Sequence, residues 1–184
     1  MYRSISKCRL CNSQKIEHLI TFKSTPLANN LFSIKKNNAK KFPLKLCICR
    51  DCKHIQLSIV VSSGKLFNNY NYLTGISSSF VSHFKKFSER LSNQYFKNKK
   101  FKIIDIGSND GLLLKCFDKK NTRIGVEPAK NLKAFYKDTG IYLYNDFFNK
   151  KVINDIKKRF NYVDVITANN VFAHIDDLQN IVKN

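Results

Sequence analysis

The sequence is short of carboxylates, short of arginine and without a long apolar run. Only 13 of its 184 residues are Asp or Glu, against 33 Lys and Arg, for a formal net charge of +20. Six of those 33 are arginines, at positions 3, 9, 50, 90, 123 and 159, and the rest are lysines scattered over the whole chain. A surface that reads bases or clamps phosphates favours the bidentate arginine fork. The shortage therefore argues against nucleic acid as a partner and for a solvated, lysine-rich surface. The most apolar stretch, Ile55 to Val61, is short and interrupted by Gln56 and Ser58. It reads as a strand, so no membrane span is expected. Met1-Tyr2-Arg3-Ser4 leads straight into a cysteine pair with no apolar segment between, so no signal peptide is expected either. The expected compartment is the cytoplasm, where paired cysteines hold metal more often than they form disulfides.

What is present divides into three segments. Residues 1–60 hold five of the six cysteines and two of the three prolines. Their short runs Leu44 to Ile48 and Ile55 to Val60 predict a small β-rich module. Residues 61–100 form a helical connector. There Phe80, Phe84, Phe87, Leu91 and Tyr95 recur at spacings of four, three, four and four, one apolar helix face, with Ser77 to Ser79 as N-cap candidates. The charged run Lys97 to Lys102 leads into residues 101–184, where strand and helix alternate. Strands are expected at Lys102 to Ile106, Arg123 to Val126, Ile141 to Tyr144 and Val163 to Thr167. Helices are expected at Leu112 to Phe117, Asn131 to Tyr136, Val152 to Phe160 and from Asp176 onward. Such alternation with short connections predicts an α/β fold with a parallel sheet covered by helices.

Cys8-Arg9-Leu10-Cys11 and Cys49-Arg50-Asp51-Cys52 are two Cys-x-x-Cys knuckles. Each spacing lets two thiolates from one turn take neighbouring corners of a tetrahedron, and two turns complete a closed four-sulfur zinc site. Such a site is structural, since no coordination position stays open. The bland reading is four buried or free thiols. Cys47 is a competing ligand in principle, and the symmetric pairing makes it the spare. Cys116 reads as a core residue.

Ile103-Ile104-Asp105-Ile106-Gly107-Ser108-Asn109-Asp110-Gly111 is an apolar strand running into a glycine turn and then a helix. Gly107 permits a sharp turn and close approach of backbone to a ligand, and Gly111 permits tight packing at the helix start. Glu127 lies 22 residues beyond Asp105 at the end of the next strand, where a carboxylate takes ribose hydroxyls. After the third strand, Asp146 can accept from an adenine amino group and Phe147 can wall the ring; a local cap or a solvated charge is the bland reading of Asp146. A dinucleotide site would want a glycine where Asn109 stands, and Asp110 puts negative charge where a pyrophosphate would sit. The ordered acidic series suits S-adenosylmethionine, with its positively charged methionine end, as the cofactor.

These strings resemble the bacterial sugar C-methyltransferases, which join an N-terminal zinc-binding domain to a class I, Rossmann-like methyltransferase domain and a further C-terminal domain. The resemblance is carried by Cys8-x-x-Cys11, Pro26-Leu27-Ala28-Asn29, Pro43-Leu44 leading to Cys49-x-x-Cys52, and Gln56-Leu57. It continues through Tyr70-Asn71-Tyr72, Ser77 to Phe80, Asp105 to Gly111, Gly125 to Ala129 and Ala168-Asn169-Asn170-Val171-Phe172-Ala173-His174-Ile175. It implies a nucleotide-linked keto-deoxysugar as substrate and methylation of an enolate carbon. It implies His174, Tyr70 and Tyr72 as active-site residues, and Asn169 and Asn170 beside the cofactor. The net positive charge would attract such an anionic substrate. Members run to about twice this length and carry a later His-rich motif for the main base. The expectation is thus an N-terminal half with sheet strands 1–4 only, in which Val163 to Thr167 is an edge strand, inactive alone or completed by a second polypeptide. The rival readings are an O- or N-methyltransferase for another small molecule and a non-enzymatic zinc- and cofactor-binding product.

Overall fold

The computed structural model describes residues 2–29, 39–97 and 99–183. Residues 30–38 of the stretch between the cysteine pairs, and Asn98 of the expected charged run, lie outside the described residues. The chain divides into two compact groups, residues 1–66 with 175–183, and residues 67–174.

The first group is built from short strands. β2 (Ile16–Thr25), β3 (Phe42–Cys49) and β4 (Ile55–Leu57) form an antiparallel sheet in the order β2-β3-β4, while β1 (Tyr2–Ser4) pairs with β5 (Ile59–Val61). The single run expected over Ile55 to Val60 is two strands in two sheets. Ser58 causes the break, since its N–H donates to the Lys45 carbonyl while its own carbonyl accepts from Ile5 N–H. The cross-strand pairs Phe22–Leu44, Ile20–Leu46–Leu57 and Ile48–Ile55 leave apolar side chains exposed on the sheet. Helix α1 (Ser63–Phe67) follows β5, and the later helix α5 (Leu178–Lys183) belongs to this group, its Gln179 amide donating to the Leu10 carbonyl at 2.6 Å.

The second group is a four-stranded parallel sheet in the order β8-β7-β6-β9, made of β6 (Lys102–Ile106), β7 (Thr122–Val126), β8 (Tyr142–Tyr144) and β9 (Val165–Thr167). Consecutive isoleucines of β6 serve opposite faces. Ile103 packs with Phe84, Phe101, Leu113, Leu114 and Phe117, whereas Ile104 packs with Ile124, Val126, Val152 and Ile156. Both faces are therefore dry, which is why β6 reads as a continuous apolar run. The first face is covered by α2 (Ser78–Phe96) and α3 (Leu112–Lys115), the second by α4 (Lys150–Phe160). Ser77 caps α2 by accepting from Phe80 N–H, and Asn149 caps α4 by accepting from Val152 N–H. Phe84, Phe87 and Leu91 of the expected apolar face of α2 meet the core, but Phe80 and Tyr95 at its two ends are exposed. The helix expected at Asn131 to Tyr136 is a seven-residue 3-10 segment, Lys130–Tyr136. Its last residue, Tyr136, packs under the glycine turn. Among the described residues β9 is an edge of the sheet, with Ile166 60 % exposed. No described helix is long and apolar enough to cross a membrane.

Candidate functional site

The four cysteines expected to hold metal converge. The sulfurs of Cys8, Cys11, Cys49 and Cys52 all lie within 4.8 Å of one another, with Cys8–Cys52 and Cys11–Cys49 at 3.6 Å. A tetrahedral zinc at about 2.3 Å from each thiolate requires sulfur–sulfur edges of about 3.8 Å, so the donor set fits that ion. The two knuckles repeat one another bond for bond. Cys8 N–H donates to Ser13 O and Asn12 N–H to Cys8 O; likewise Cys49 N–H donates to His54 O and Lys53 N–H to Cys49 O. Asn12 and Lys53 share φ 62. The backbone N–H groups of Cys52 and Asp51 point at the Cys49 sulfur and bring its thiol down to about 6. The Cys52 thiol, although the His54 N–H favours its thiolate, is driven up to about 12 by burial and by the three other sulfurs. Four sulfurs this close cannot all ionise without a cation among them. Cys47 is buried outside the cluster, and Cys116 lies half-buried against the core of the second group.

A second constellation forms at the carboxyl ends of β6 and β7. Gly107 has φ 66, and a Cβ there would come within 2.7 Å of Val171. Gly111, at φ 75, packs against the Tyr136 ring. Glu127 is buried, and each of its carboxylate oxygens accepts one backbone N–H, from Asn109 at 2.8 Å and from Ala129 at 2.9 Å. Burial pushes Glu127 above the usual carboxylate range against the pull of those two bonds. Burial also pushes Asp105 up to about 7, against bonds from the Thr167 hydroxyl (2.7 Å) and Asn169 and with help from the Glu127 charge. A carboxylate has about four lone-pair positions, so Glu127 keeps acceptor capacity for two further donors. Two desolvated carboxyls suit hydroxyls or a cation, and repel a pyrophosphate.

The turn's side chains point at a different partner. Asn109 Oδ1 accepts from Thr74 N–H (2.9 Å) and the Thr74 hydroxyl (3.2 Å), and its Nδ2 donates to Tyr72 O (2.9 Å). Asp110 accepts from Gly75 N–H at 2.8 Å and from Leu112 N–H at 3.2 Å. Asn131 exchanges two bonds with the Tyr70 backbone, at 2.9 and 2.8 Å. The Tyr70 ring lies 6.5 Å from that of Tyr72 and 5.9 Å from Phe67, which lies 5.9 Å from the exposed His174. The three residues expected at the active site thus share one aromatic row.

Known proteins place these constellations in context. Residues 8–67 match a methyltransferase-associated family described as "Putative zinc binding domain". Over 98 % of its length the chain is 28 % identical to C-methyltransferase NovU of Streptomyces niveus, of which it covers 44 %. This chain is a relative of a C-methyltransferase. It spans under half the length of that relative.

By their surroundings in this structure, the expected residues separate into three sets. Asp105, Gly107, Asn109, Asp110, Gly111, Glu127 and Asn169 stand at or just after the carboxyl ends of β6, β7 and β9, where Asn109 is bonded to Glu127 and Asn169 to Asp105. Asp146 is exposed and tied locally, accepting from Phe147 N–H (2.7 Å) and from Asn149 Nδ2 (3.2 Å), with Phe147 half-buried next to it. Asn170 is exposed at φ 56, after the edge strand. Sequence reading missed the roles of Thr74, Asn131 and the buried pair Ser108–Tyr136, whose hydroxyls lie 2.7 Å apart while Tyr136 donates to Asn109 O at 2.9 Å. Nothing in a single sequence marks a Tyr 28 positions away as the underside of a glycine turn.

Proposed function

We propose that the second group is a Rossmann-like, class I cofactor domain that binds S-adenosylmethionine on the carboxyl edge of its sheet. The observation that supports this reading is the Glu127 carboxylate, buried and fixed by Asn109 N–H and Ala129 N–H at the end of β7. Held there, it accepts from the two ribose hydroxyls, while Gly107 and Gly111 let the turn's backbone approach closely. Asp105 and Asn169 face the methionine end, Asp146 and Phe147 the adenine, and Asn170 borders the site. The cofactor supplies the electrophilic methyl group when bound. In the first group Cys8, Cys11, Cys49 and Cys52 hold a structural zinc; along the sequence the domains are a zinc-binding module (1–60), a helical connector (61–100) and a cofactor domain (101–184), whose last helix α5 packs within the first group.

The acceptor in this proposal is the carbon beside the ketone of a nucleotide-linked deoxysugar, in a cytoplasmic enzyme. His174 can take a proton there, and Tyr70 and Tyr72 can donate to a developing oxyanion. Because NovU is more than twice as long, we propose that these 184 residues do not turn over by themselves and that further polypeptide completes the cleft. Calorimetry tests the cofactor. S-adenosylmethionine and its demethylated product should bind and NAD should not, and Glu127→Ala should weaken binding by about 1–3 kcal/mol. A preference for NAD would overturn the reading. Incubation with labelled cofactor and a panel of nucleotide-linked 4-keto-6-deoxysugars tests the acceptor. Multiple turnover by the 184 residues alone would refute the claim of dependence on more polypeptide.

A further inference from the structure

The glycine turn has a backbone side and a side-chain side, and they meet different groups. We infer that Asn109 is a positioning residue for the segment bearing Tyr70 and Tyr72, not a cofactor ligand, and that Asp110 assists it. The identity of the ligands on either side rests on the function proposed above.

The Asn109 main chain belongs to the cofactor edge, its N–H on Glu127 Oε2 (2.8 Å) and its carbonyl on the Tyr136 hydroxyl (2.9 Å). Its side chain belongs to the tyrosine segment, with Oδ1 accepting from Thr74 and Nδ2 donating to Tyr72 O. One residue thereby ties the carboxylate that would hold the ribose to the backbone that carries the acceptor-side tyrosines. Asp110 adds the next rung through Gly75 N–H. The approach there is close, since a Cβ on Gly75 would fall 2.6 Å from the Asp110 carboxylate oxygen. Asn131 grips the far end at Tyr70, and the Ser77 cap fixes the near end to α2. Apart from the Thr74 hydroxyl, these bonds act on main-chain atoms, so the segment is held through its backbone while its rings form the row that ends at His174. Asn109 is 9 % exposed and its amide is already bonded at both ends, which leaves a ligand little of it to meet. Its φ of 52 explains why Asn suits the position. Asn tolerates the left-handed region, and Ala would add strain there.

Asn109→Gly is therefore the informative change, since it deletes the amide and eases the backbone. Hydrogen exchange on the 184-residue chain should then speed up at Thr74 and Gly75 by about tenfold or more, as their bonded amides open. Amides of Ile103 and Leu114 should stay protected, which checks folding. S-adenosylhomocysteine affinity by calorimetry should change by less than about threefold, against the larger loss expected of Glu127→Ala. Asn109→Asp keeps the acceptor for Thr74 and should restore its protection. With 3-fluorotyrosine incorporated, the resonances of Tyr70 and Tyr72 should shift on S-adenosylhomocysteine binding in the parent chain and stay still in Asn109→Gly. Unchanged exchange at Thr74 and Gly75 would overturn the inference, as would a loss of affinity matching that of Glu127→Ala. If the parent chain fails to bind S-adenosylhomocysteine, the cofactor proposal falls, and the exchange rates alone decide whether Asn109 holds the segment.

Discussion

The cysteine-bearing group and the parallel-sheet group stay folded by different means. In the first, the largest fully buried side chains among the described residues are those of Cys8 and Cys49, with Phe42, Cys47 and Ile59 close behind. Its longest strand, β2, exposes Leu19, Ile20 and Phe22 by more than 40 % each. In the second, Ile103, Ile104, Leu113, Leu114, Ile124, Leu132 and Val126 are fully buried, each contributing about 1.5–3 kcal/mol by leaving water. A small β module with so thin a core depends on cross-linking, and its four converging sulfurs supply the place for it. The sheet group depends on buried apolar area.

The largest effect should come from taking that cross-link away. Chelation, Cys8→Ser or Cys52→Ser should unfold the first group, because structural zinc contributes on the order of 10 kcal/mol that is also folding energy. Cys47→Ser, outside the cluster, should keep close to one zinc per chain. Retention of stoichiometric zinc by both ligand variants, measured by metal analysis, would remove the basis of the comparison. Next comes the reciprocal change. Leu114→Ala should cost the sheet group about 2–5 kcal/mol through lost burial and the cavity left behind. Zinc content should be untouched, and denaturant unfolding with metal analysis reads both.

The contrast also explains what a single sequence discloses. Cys8, Cys11, Cys49 and Cys52 were legible because a metal site fixes residue type and spacing together. The strands β6 and β7 were legible because both faces of the sheet are dry and glycine marks the turn between them. The serine run Ser77 to Ser79 announced the start of α2 by its capping chemistry, and Ser77 proves to be the cap. What stayed hidden depends on partners distant in sequence. Strand β2 is exposed along its length and shows little alternation that burial would impose. The break at Ser58 depends on Ile5 and Lys45, and the Tyr136 contact depends on Gly111 and Gly125, whose missing side chains admit its ring. The exposure of Phe80 and Tyr95 shows the limit of periodicity, which gives a helix face but not how far along the helix that face is covered.

Titration sharpens the comparison within the sheet group. Asp105 is held at about 7 in the folded chain by burial and the Glu127 charge, against about 3.9 when unfolded. The folded state thus binds this proton more tightly than the unfolded one between those values. Stability should fall as pH rises from about 4 to about 7 and stay lower above that. Glu127, raised in the same direction, adds to the trend. Urea unfolding of the sheet group at pH 5 and pH 8 measures it, and Asp105→Asn should flatten the difference. An equal slope in Asp105→Asn would assign the dependence elsewhere.

The smallest effect should come from charge at the surface of the cysteine group. Arg50, inside the second knuckle, pairs with Glu17 of β2, and the two side chains are 55 % and 47 % exposed. The Glu17 carboxylate raises the Arg50 guanidinium above its ordinary value. In water that pairing is screened by salt and opposed by the cost of ordering two long side chains, so it contributes little. The main-chain bond from Arg50 N–H to Lys15 O, at 2.8 Å, fixes the same junction and survives the loss of the ion pair. Glu17→Gln should therefore leave zinc stoichiometry unchanged and barely move the denaturation midpoint of the group, with the difference shrinking further in about 0.5 M salt. Loss of zinc or a collapse of the group in Glu17→Gln would mean that surface charge, not the sulfur cluster, holds this half together.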